Sequence, residues 1–366
     1  MATFNGALNS NEIFAGIFNM IISQQVFSDN IAGTLSSLVD EARVDGSMYG
    51  DTKLYYATKP IYPDDWINPV NKNGLQARAN SLLALHYAED PECQSITIDT
   101  FKQVRLTVDN YLSKRAWATE GAFSDFVSVM LGWIRDSKRL YDATMYNTFI
   151  GTEESNVGKQ HKTITLPTST DKEAENRLQA QFIATTLADL FTDLEDVSDE
   201  YNDYGILRSY NAEDFIVVWN AAFANKITYM DLPTIFHDEK VREMLTRYRL
   251  PSHYFGSLNA EAGTTGAANT TVFAAVTKKF GEKNLYAGQL LPSNCAYGAN
   301  ETYTVNDKII CKVYKRGTVP LMSAFEVGTQ FFNPISLTEN HYLTWGHNTL
   351  ERLLDKPFIT IEAAGA

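Results

Sequence analysis

The sequence predicts an α+β protein organised around one unusually long helix, and three observations predict it. From Thr119 to Gly151 large apolar residues recur at Phe123, Val127, Met130, Ile134, Tyr141, Met145 and Phe149, with no proline between them. That three- and four-residue spacing is one helix face. From Ser95 to Leu112 the period drops to two, with Ile96, Ile98, Val104, Leu106 and Val108 alternating against polar neighbours. This is the pattern of a half-buried strand, or of two. From Asn306 onward, runs at Ile309–Tyr314, Ser323–Phe332, Tyr342–Trp345 and Phe358–Glu362 predict further strands. At 1.5 Å per residue the helix spans roughly 45 Å, more than a small domain is wide, so it acts first as a strut.

With 366 residues, 44% apolar and 20% charged, the chain has material for an ample core. No Ser/Gly/Pro linker, low-complexity tract or internal repeat divides it, so its parts read as interleaved lobes of one unit. No apolar run approaches the roughly 18 residues of a membrane span. The first 42 residues contain neither Lys nor Arg, which speaks against a secretory signal and an Arg-rich transit peptide. Cys93, Cys295 and Cys311 are an odd set without CxxC spacing and read as free thiols in a reducing compartment. A net charge of -13 argues against tight, sequence-independent nucleic-acid binding, which needs a basic footprint.

Taken in order, Asn9–Asn30 predicts a first helix with a double apolar stripe at Ile13, Phe14, Ile17, Phe18, Ile21 and Ile22. So greasy a segment has to bury itself, in its own lobe or against a neighbouring molecule, and the stripe does not decide which. Asp45–Gly74 changes texture: Tyr49, Tyr55, Tyr56, Tyr62 and Trp66 lie among prolines, glycines and asparagines. Lys53–Thr58 fits a strand, while Pro60, Pro63 and Pro69 forbid a helix. An aromatic, aperiodic excursion is a ligand-binding loop, an arm laid on a partner, or a long loop folded on its own domain. Leu75–Tyr87 reads as a short helix.

Thr119 is the expected N-cap of the long helix, with Glu120 and Asp125 near the positive end of its dipole, and Gly151 is the expected left-handed C-cap. A polar connection with one strand-like piece, Lys162–Leu166, leads to Thr170 and Glu173, a capping-box pair. The helix it opens shows Leu178, Phe182, Thr186, Leu190 and Leu194 on one face. Around Asn211 a second lobe is expected. Its Phe215–Trp219 run reads as a buried strand, and Asn220 is set to cap a helix reaching about Ile227. Short strand–helix units continue to Leu250, and Ala260–Thr271 has the composition of a surface loop. The last strand is expected to pair back in the first lobe.

Chemistry is sought and not found. Gly151–Gln160 superficially resembles a phosphate loop, but Glu153 stands where a glycine is needed and Gln160 replaces the magnesium-holding Ser or Thr. The acidic run Asp193, Glu195, Asp196, Asp199, Glu200 and Asp203 lacks the calcium-loop register, with Tyr201 and Tyr204 at ligand positions, and reads as a solvated helix end. His86, His161, His237, His253, His341 and His347 are scattered, without HExxH, GxSxG or a local cysteine signature. The spacing of His341 and His347 near Glu339 and Glu351 makes no metal face. No catalytic residue, cofactor or metal is assigned.

The segment Asp109–Gln160 resembles the spine-helix region of major capsid proteins of tailed bacteriophages, in the short-tailed, crAss-like and phi-twenty-nine-like groups that share the Hong Kong-type capsid fold. Tyr210–Val241 is similar to their passage into the axial domain, and Thr344–Glu362 to their closing strands. The order of parts agrees over nearly the whole chain. The resemblance implies an N-terminal arm over 1–46, an extended loop over 47–74, and a peripheral domain over 75–210 with its spine helix at 119–151. An axial domain over 211–308 and strands returning to the peripheral domain over 309–366 complete it. It implies hexamers and pentamers closing an icosahedral or prolate head around packaged double-stranded DNA, assembled in the bacterial host cytoplasm and residing in the virion. Implied partners are further copies of the chain, portal and head-to-tail proteins, and separate scaffolding and decoration proteins; DNA is enclosed without specific binding, and no membrane is involved. Phe14, Phe18, Ile21, Tyr55, Tyr56, Tyr62 and Trp66 are the expected inter-subunit contacts. No residue pair matches the Lys–Asn crosslink of some family members. A tube or decoration protein, or a soluble α+β enzyme, are the alternative readings.

Overall fold

The computed structural model describes residues 37–46, 50–60, 90–109, 120–155, 157–228, 248–260, 277–280, 283–286, 301–306 and 308–364. In chain order its elements are α1 (Ser37–Ala42), β1 (Arg43–Asp45), β2 (Thr52–Ala57), β3 (Glu92–Asp109), α2 (Glu120–Thr152), β4 (His161–Ile164) and α3 (Lys172–Glu195). There follow β5 (Phe215–Asn220), α4 (Ala221–Thr228), β6 (Tyr248–Leu250), β7 (Gly256–Ala260), β8 (Thr277–Phe280), β9 (Lys283–Tyr286) and β10 (Glu301–Val305). The chain closes with β11 (Ile309–Lys315), β12 (Leu321–Asn333), β13 (Thr338–Asn348) and β14 (Phe358–Ala363).

Two five-stranded sheets carry the fold. The first runs β1-β12-β13-β3-β2, antiparallel except where β1 lies parallel to β12. The period-two stretch is one strand of 18 residues rather than two, and β12 and β13 form a long hairpin against it. The second runs β4-β14-β11-β5-β6, with parallel pairs at both edges and antiparallel pairs in the middle. It joins strands from distant parts of the chain. The closing strand β14 sits between β11 and β4, and so pairs with residues on both sides of the expected lobe boundary. Pairs β7–β10 and β8–β9 stand apart.

The continuous apolar run FIVVWN is explained by burial on both faces of the second sheet. Phe215, Val217 and Trp219 share a core with Ile183, Leu187, Leu190 and Leu194 of α3. Ile216 and Val218 face the other way, into a core with Tyr141, Met145, Tyr146, Phe149 and Ile150 of α2. That same core takes Leu343 and Trp345 of β13, with Val104 and Leu106 of β3 packed against it. The C-terminal half of α2 is thus wedged between the two sheets. The helix stripe predicted at Ile134, Tyr141, Met145 and Phe149 is buried; the side chains of Phe123, Val127 and Met130 lie outside the described residues.

Several local expectations are corrected. Gly151 does not cap α2, which continues through Thr152. It is a glycine because the Tyr254–Phe255 backbone crosses there, and a Cβ would come to 2.6 Å from the Tyr254 carbonyl carbon. The N-cap of α3 is Asp171, whose carboxylate accepts from the Glu173 amide at 3.1 Å; Thr170 lies one residue too early. Thr186, Leu190 and Leu194 of the expected face of α3 are buried, but Leu178 and Phe182 are exposed, because in its first half the buried face runs through Ala180, Ile183, Ala184 and Leu187. Asn220 does cap α4, accepting from the Ala222 amide at 3.1 Å. Thr119 and the expected helices at Asn9–Asn30 and Leu75–Tyr87 fall outside the described residues, as does the 261–271 part of the surface-loop expectation.

Candidate assembly surface

Of the seven expected contact residues, Phe14, Phe18, Ile21, Tyr62 and Trp66 lie outside the described residues. Tyr55 and Tyr56 stand on β2, which pairs with Glu92–Thr97 of β3. Neighbouring residues on a strand face opposite ways, and this separates them. Tyr55 is half-buried over Ile96, Ile98, Met322 and Leu353, and burial pushes its phenol up. Tyr56 is 61% exposed, next to exposed Leu54. The strand therefore has one side anchored to its own subunit and one side open. Residues 37–45, expected as the end of an arm, pack on their own subunit. Leu38, Val39 and Ala42 enter the α2 core, the Tyr248 hydroxyl donates to Glu41, and β1 extends the first sheet.

The same sheet carries exposed apolar surface that the sequence reading passed over. At the far end of the β12–β13 hairpin, Val327, Phe331, Phe332, Ile335 and Leu337 are exposed, Ile335 at 95%. Phe331 is level with Asn340 and Thr107, and Phe332 with Glu339 and Val108, so the two rings face opposite sides. The available signal was composition: the twelve residues from Val327 to Thr338 carry no charge. The sequence pattern predicts only a strand, over Ser323–Phe332.

Behind these surfaces lies a buried polar frame at the C-terminal end of α2. Arg352, 6% exposed, reaches Glu153 through Nε at 3.2 Å and Asp203 through Nη2. Asp203 also accepts from Ser155 Oγ and Gln160 Nε2, both at 2.9 Å, and Gln160 Oε1 accepts from the Phe358 amide at 2.8 Å. Lys312 Nζ, wholly buried, donates to the Glu153 carbonyl at 2.9 Å and to Thr360 Oγ1 at 2.7 Å. Burial lowers its pKa to about 8, against the pull of nearby carboxylates. Burial also pushes the Glu153 carboxyl up, opposed by Arg352 and Lys312. Glu153 and Gln160, which spoil a phosphate loop, are thus joints between helix and sheet. Asp203 corrects the reading of its acidic run: Asp193, Glu195, Asp196 and Asp199 are exposed, but Asp203 is tied inward.

Farther along α2, burial raises the Asp142 carboxyl, opposed by Lys138 at 3.5 Å and Arg43 at 3.6 Å. Lys138 also reaches Glu326 of β12 at 3.2 Å. Tyr141 donates to His347 Nε2 at 2.9 Å, because His347 Nδ1 is engaged with the Asn348 carbonyl at 2.8 Å. Burial pushes the Cys311 thiol up, away from a reactive thiolate. Cys93 and Cys311 are both free, and Cys295 is outside the described residues. Among the described residues no group of His, Cys, Asp and Glu is placed to hold a metal ion, and no helix is long and apolar enough to cross a membrane. Every charged group of this frame joins one element to another.

A family model described as Phi29-like phage major capsid protein matches residues 5–345. The chain belongs to that family. It is a phage major capsid protein, a structural subunit of the virion that assembles with copies of itself. Among solved structures, a chain of the capsid of Staphylococcus phage Andhra is similar at 10% identity and a TM-score of 0.59, over 89% of this chain and 83% of that one. A chain from the structure of the head fiber and inner core protein gp22 of native bacteriophage P68 is similar at 9% identity and a TM-score of 0.58, over 88% and 83%. At such identities the likeness is one of fold, and the fold is the Hong Kong type. No curated protein matches the chain.

Proposed function

We propose that this capsid protein forms hexameric and pentameric capsomers that close into an icosahedral or prolate head around double-stranded DNA. The family match over residues 5–345 carries the reading. Multivalency supports it physically: each subunit meets several neighbours, so individually modest contacts close a stable shell. The net charge of -13 fits a container that holds DNA without gripping it. The protein works by shape, not catalysis. Portal, head-to-tail, scaffolding and decoration proteins are its further partners, and assembly takes place in the host cytoplasm.

In this reading α2 is the spine of a peripheral domain that includes the first sheet. The same domain takes α3 within 75–210, residues 211–308 form the axial domain, and the strands of 309–366 return to the peripheral domain. Residues 47–74 begin an extended loop laid on an adjacent subunit, rooted where β2 meets β3. Residues 1–46 form the arm, its end docked on its own subunit over 37–45, with Phe14, Phe18 and Ile21 as its contacts; Tyr56, Tyr62 and Trp66 serve the loop, and Tyr55 anchors its root.

Electron microscopy of the purified chain tests the proposal. Shells or capsomers are expected, and a monodisperse monomer at high concentration overturns it. Replacing 61–89 with a short linker between Pro60 and Asp90 keeps the β2–β3 pair. The expected product is a folded subunit that no longer closes into particles.

A further inference from the structure

We infer that the outward ridge of α3, from Leu178 to Asp196, is a docking surface for a helix of a different protein. That helix is apolar at one end and rich in Lys and Arg at the other. The inference rests on the capsid reading above, which calls for accessory head proteins, and adds to it a surface and the chemistry of its occupant.

Burial defines the ridge. α3 packs one face on the second sheet through Ile183, Leu187, Leu190 and Leu194. On the opposite side Leu178, Phe182, Thr185, Asp189, Thr192 and Asp196 are all exposed. Their spacing alternates four and three residues, which sets six side chains on one line, as in the seam between two paired helices. At 1.5 Å per residue the line is about 27 Å long.

The first half of the ridge offers apolar contact. Leu178 and Phe182 stand one turn apart, exposed and outside the core beneath them. The threonines farther along are already satisfied: Thr185 Oγ1 donates to the Gln181 carbonyl at 2.9 Å, and Thr192 Oγ1 to the Ala188 carbonyl at 3.0 Å. Covering them with a partner strands no hydroxyl.

The second half selects the occupant by charge. From Leu178 to Leu207 the chain has no Lys or Arg. Asp189, Asp193, Glu195, Asp196 and Asp199 are exposed, and among the described residues only Glu200 of this run is ion-paired, to Lys159. These acids gather at the C-terminal end of α3, where the helix dipole is already negative and a cation is the stabilising choice. The subunit thus holds a charge of the unfavourable sign beside an apolar pair, and a cationic neighbour relieves it.

The same charge argues against occupants from this chain. The apolar stripe at Ile13–Ile22 lies within 42 residues that have no Lys or Arg, so it brings no cation. A second α3 laid along the first sets acid against acid when parallel, and acid against Leu178 and Phe182 when antiparallel. A helix with Lys and Arg beyond its apolar residues meets both halves of the ridge.

The test uses synthetic alanine-based helices of roughly 20 residues, with Leu in one half and Arg in the other at the four-three spacing, in both orders. Controls carry Glu in place of Arg. Fluorescence anisotropy with the unassembled subunit is expected to show an Arg helix binding, more weakly as salt rises, and the Glu helices not binding. Leu178→Gln/Phe182→Gln and Asp189→Lys/Glu195→Lys are each expected to weaken binding roughly tenfold or more. Melting temperatures should match wild type, or exceed it for the lysine pair, because these side chains are exposed and a cation suits a helix C-terminus. Both variants should still form shells at wild-type yield, and hydroxyl-radical labelling of Phe182 should be as strong in shells of this chain alone as in the subunit. If the Arg helices bind no better than the Glu helices, or bind the variants equally well, the docking surface is overturned. Loss of Phe182 labelling in shells of this chain alone overturns it too, by making a second copy the occupant. If wild type forms no shells while an Arg helix still binds at α3, the capsid reading fails and the surface stands.

Discussion

Gly151 and Tyr254 meet backbone to backbone: the last turn of the long helix passes so close to the Tyr254–Phe255 segment that a methyl group on Gly151 has no room. A Cβ there would stand 2.6 Å from the Tyr254 carbonyl carbon and 3.3 Å from the Phe255 nitrogen. Both obstacles are backbone, which cannot swing aside as a side chain does.

Gly151→Ala is therefore expected to destabilise the subunit by about 3 kcal/mol, the cost of forced overpacking, although alanine has the better helix propensity. Denaturant unfolding of the unassembled subunit checks it. A neutral or stabilising result would mean that the crossing is not close-packed.

Arg352 holds two carboxylates fifty positions apart in the chain, Glu153 and Asp203. Arg352→Met leaves both partly buried without the guanidinium, Asp203 keeping only Ser155 and Gln160 and Glu153 only the field of Lys312, and is expected to cost about 3–5 kcal/mol. Arg352→Lys recovers little, since one ammonium cannot reproduce a guanidinium that faces two acceptors. Chemical denaturation of the three proteins provides the comparison.

Lys312 gives a pH signature. Its folded pKa of about 8 lies below the ordinary 10.5, so between these values the unfolded chain binds more protons. The lysine's contribution to stability therefore rises with pH through that window. In Lys312→Met this rise is expected to vanish, flattening stability against pH from 8 to 10.5 relative to wild type.

His347 is pushed below its usual range by burial, opposed by its hydrogen bond to Asn348. The sign matches that of Lys312 at lower pH: stability is lost as pH falls below the ordinary histidine value of 6.5. His347→Gln is expected to remove this acid-side loss. Tyr141→Phe, which deprives Nε2 of its donor, should cost about 1 kcal/mol at neutral pH. Melting curves from pH 5 to about 8 resolve both effects.

Tyr55 and Tyr56, neighbours on one strand, are expected to fail differently. Tyr55→Ala uncovers Ile96 and Met322 and should cost about 1–3 kcal/mol of subunit stability. Tyr56→Ala should stay within about 0.5 kcal/mol of wild type in unfolding and lower particle yield instead. Equal effects on stability would contradict the opposed facing of the two rings.

The long helix, the period-two strand and the buried run FIVVW were legible in the sequence because each is a periodic pattern several turns or residues long, and periodicity is a local property. Caps were less legible: the expected Thr170 and the observed Asp171 are adjacent residues that can both accept at an N-cap, and only backbone geometry chooses between them. The apolar pattern of α3 misplaced Leu178 and Phe182, since a helix with apolar residues on more than one side does not state which side meets a sheet.

The contact surface was half legible. Aromatic composition marks Tyr55 and Tyr56, but the exposed Phe331, Phe332, Ile335 and Leu337, with the two rings on opposite faces of the hairpin, carry no sequence signal beyond that of a strand and its end. Nothing in a string of residues says whether a phenylalanine at such a place is covered.

By itself the sequence determined the long helix, the period-two strand and the buried run, which follow from spacing, and the absence of a recognisable reacting motif; the family came from the resemblance of whole segments. Only the tertiary structure decided which elements share a sheet, that α2 is wedged between both sheets, and that Glu153, Gln160, Asp203, Lys312 and Arg352 form one buried frame. Those facts depend on contacts between residues as much as 278 positions apart, as from Arg43 to Leu321. Such contacts are set by the packing free energy of the whole chain, and no local stretch encodes them.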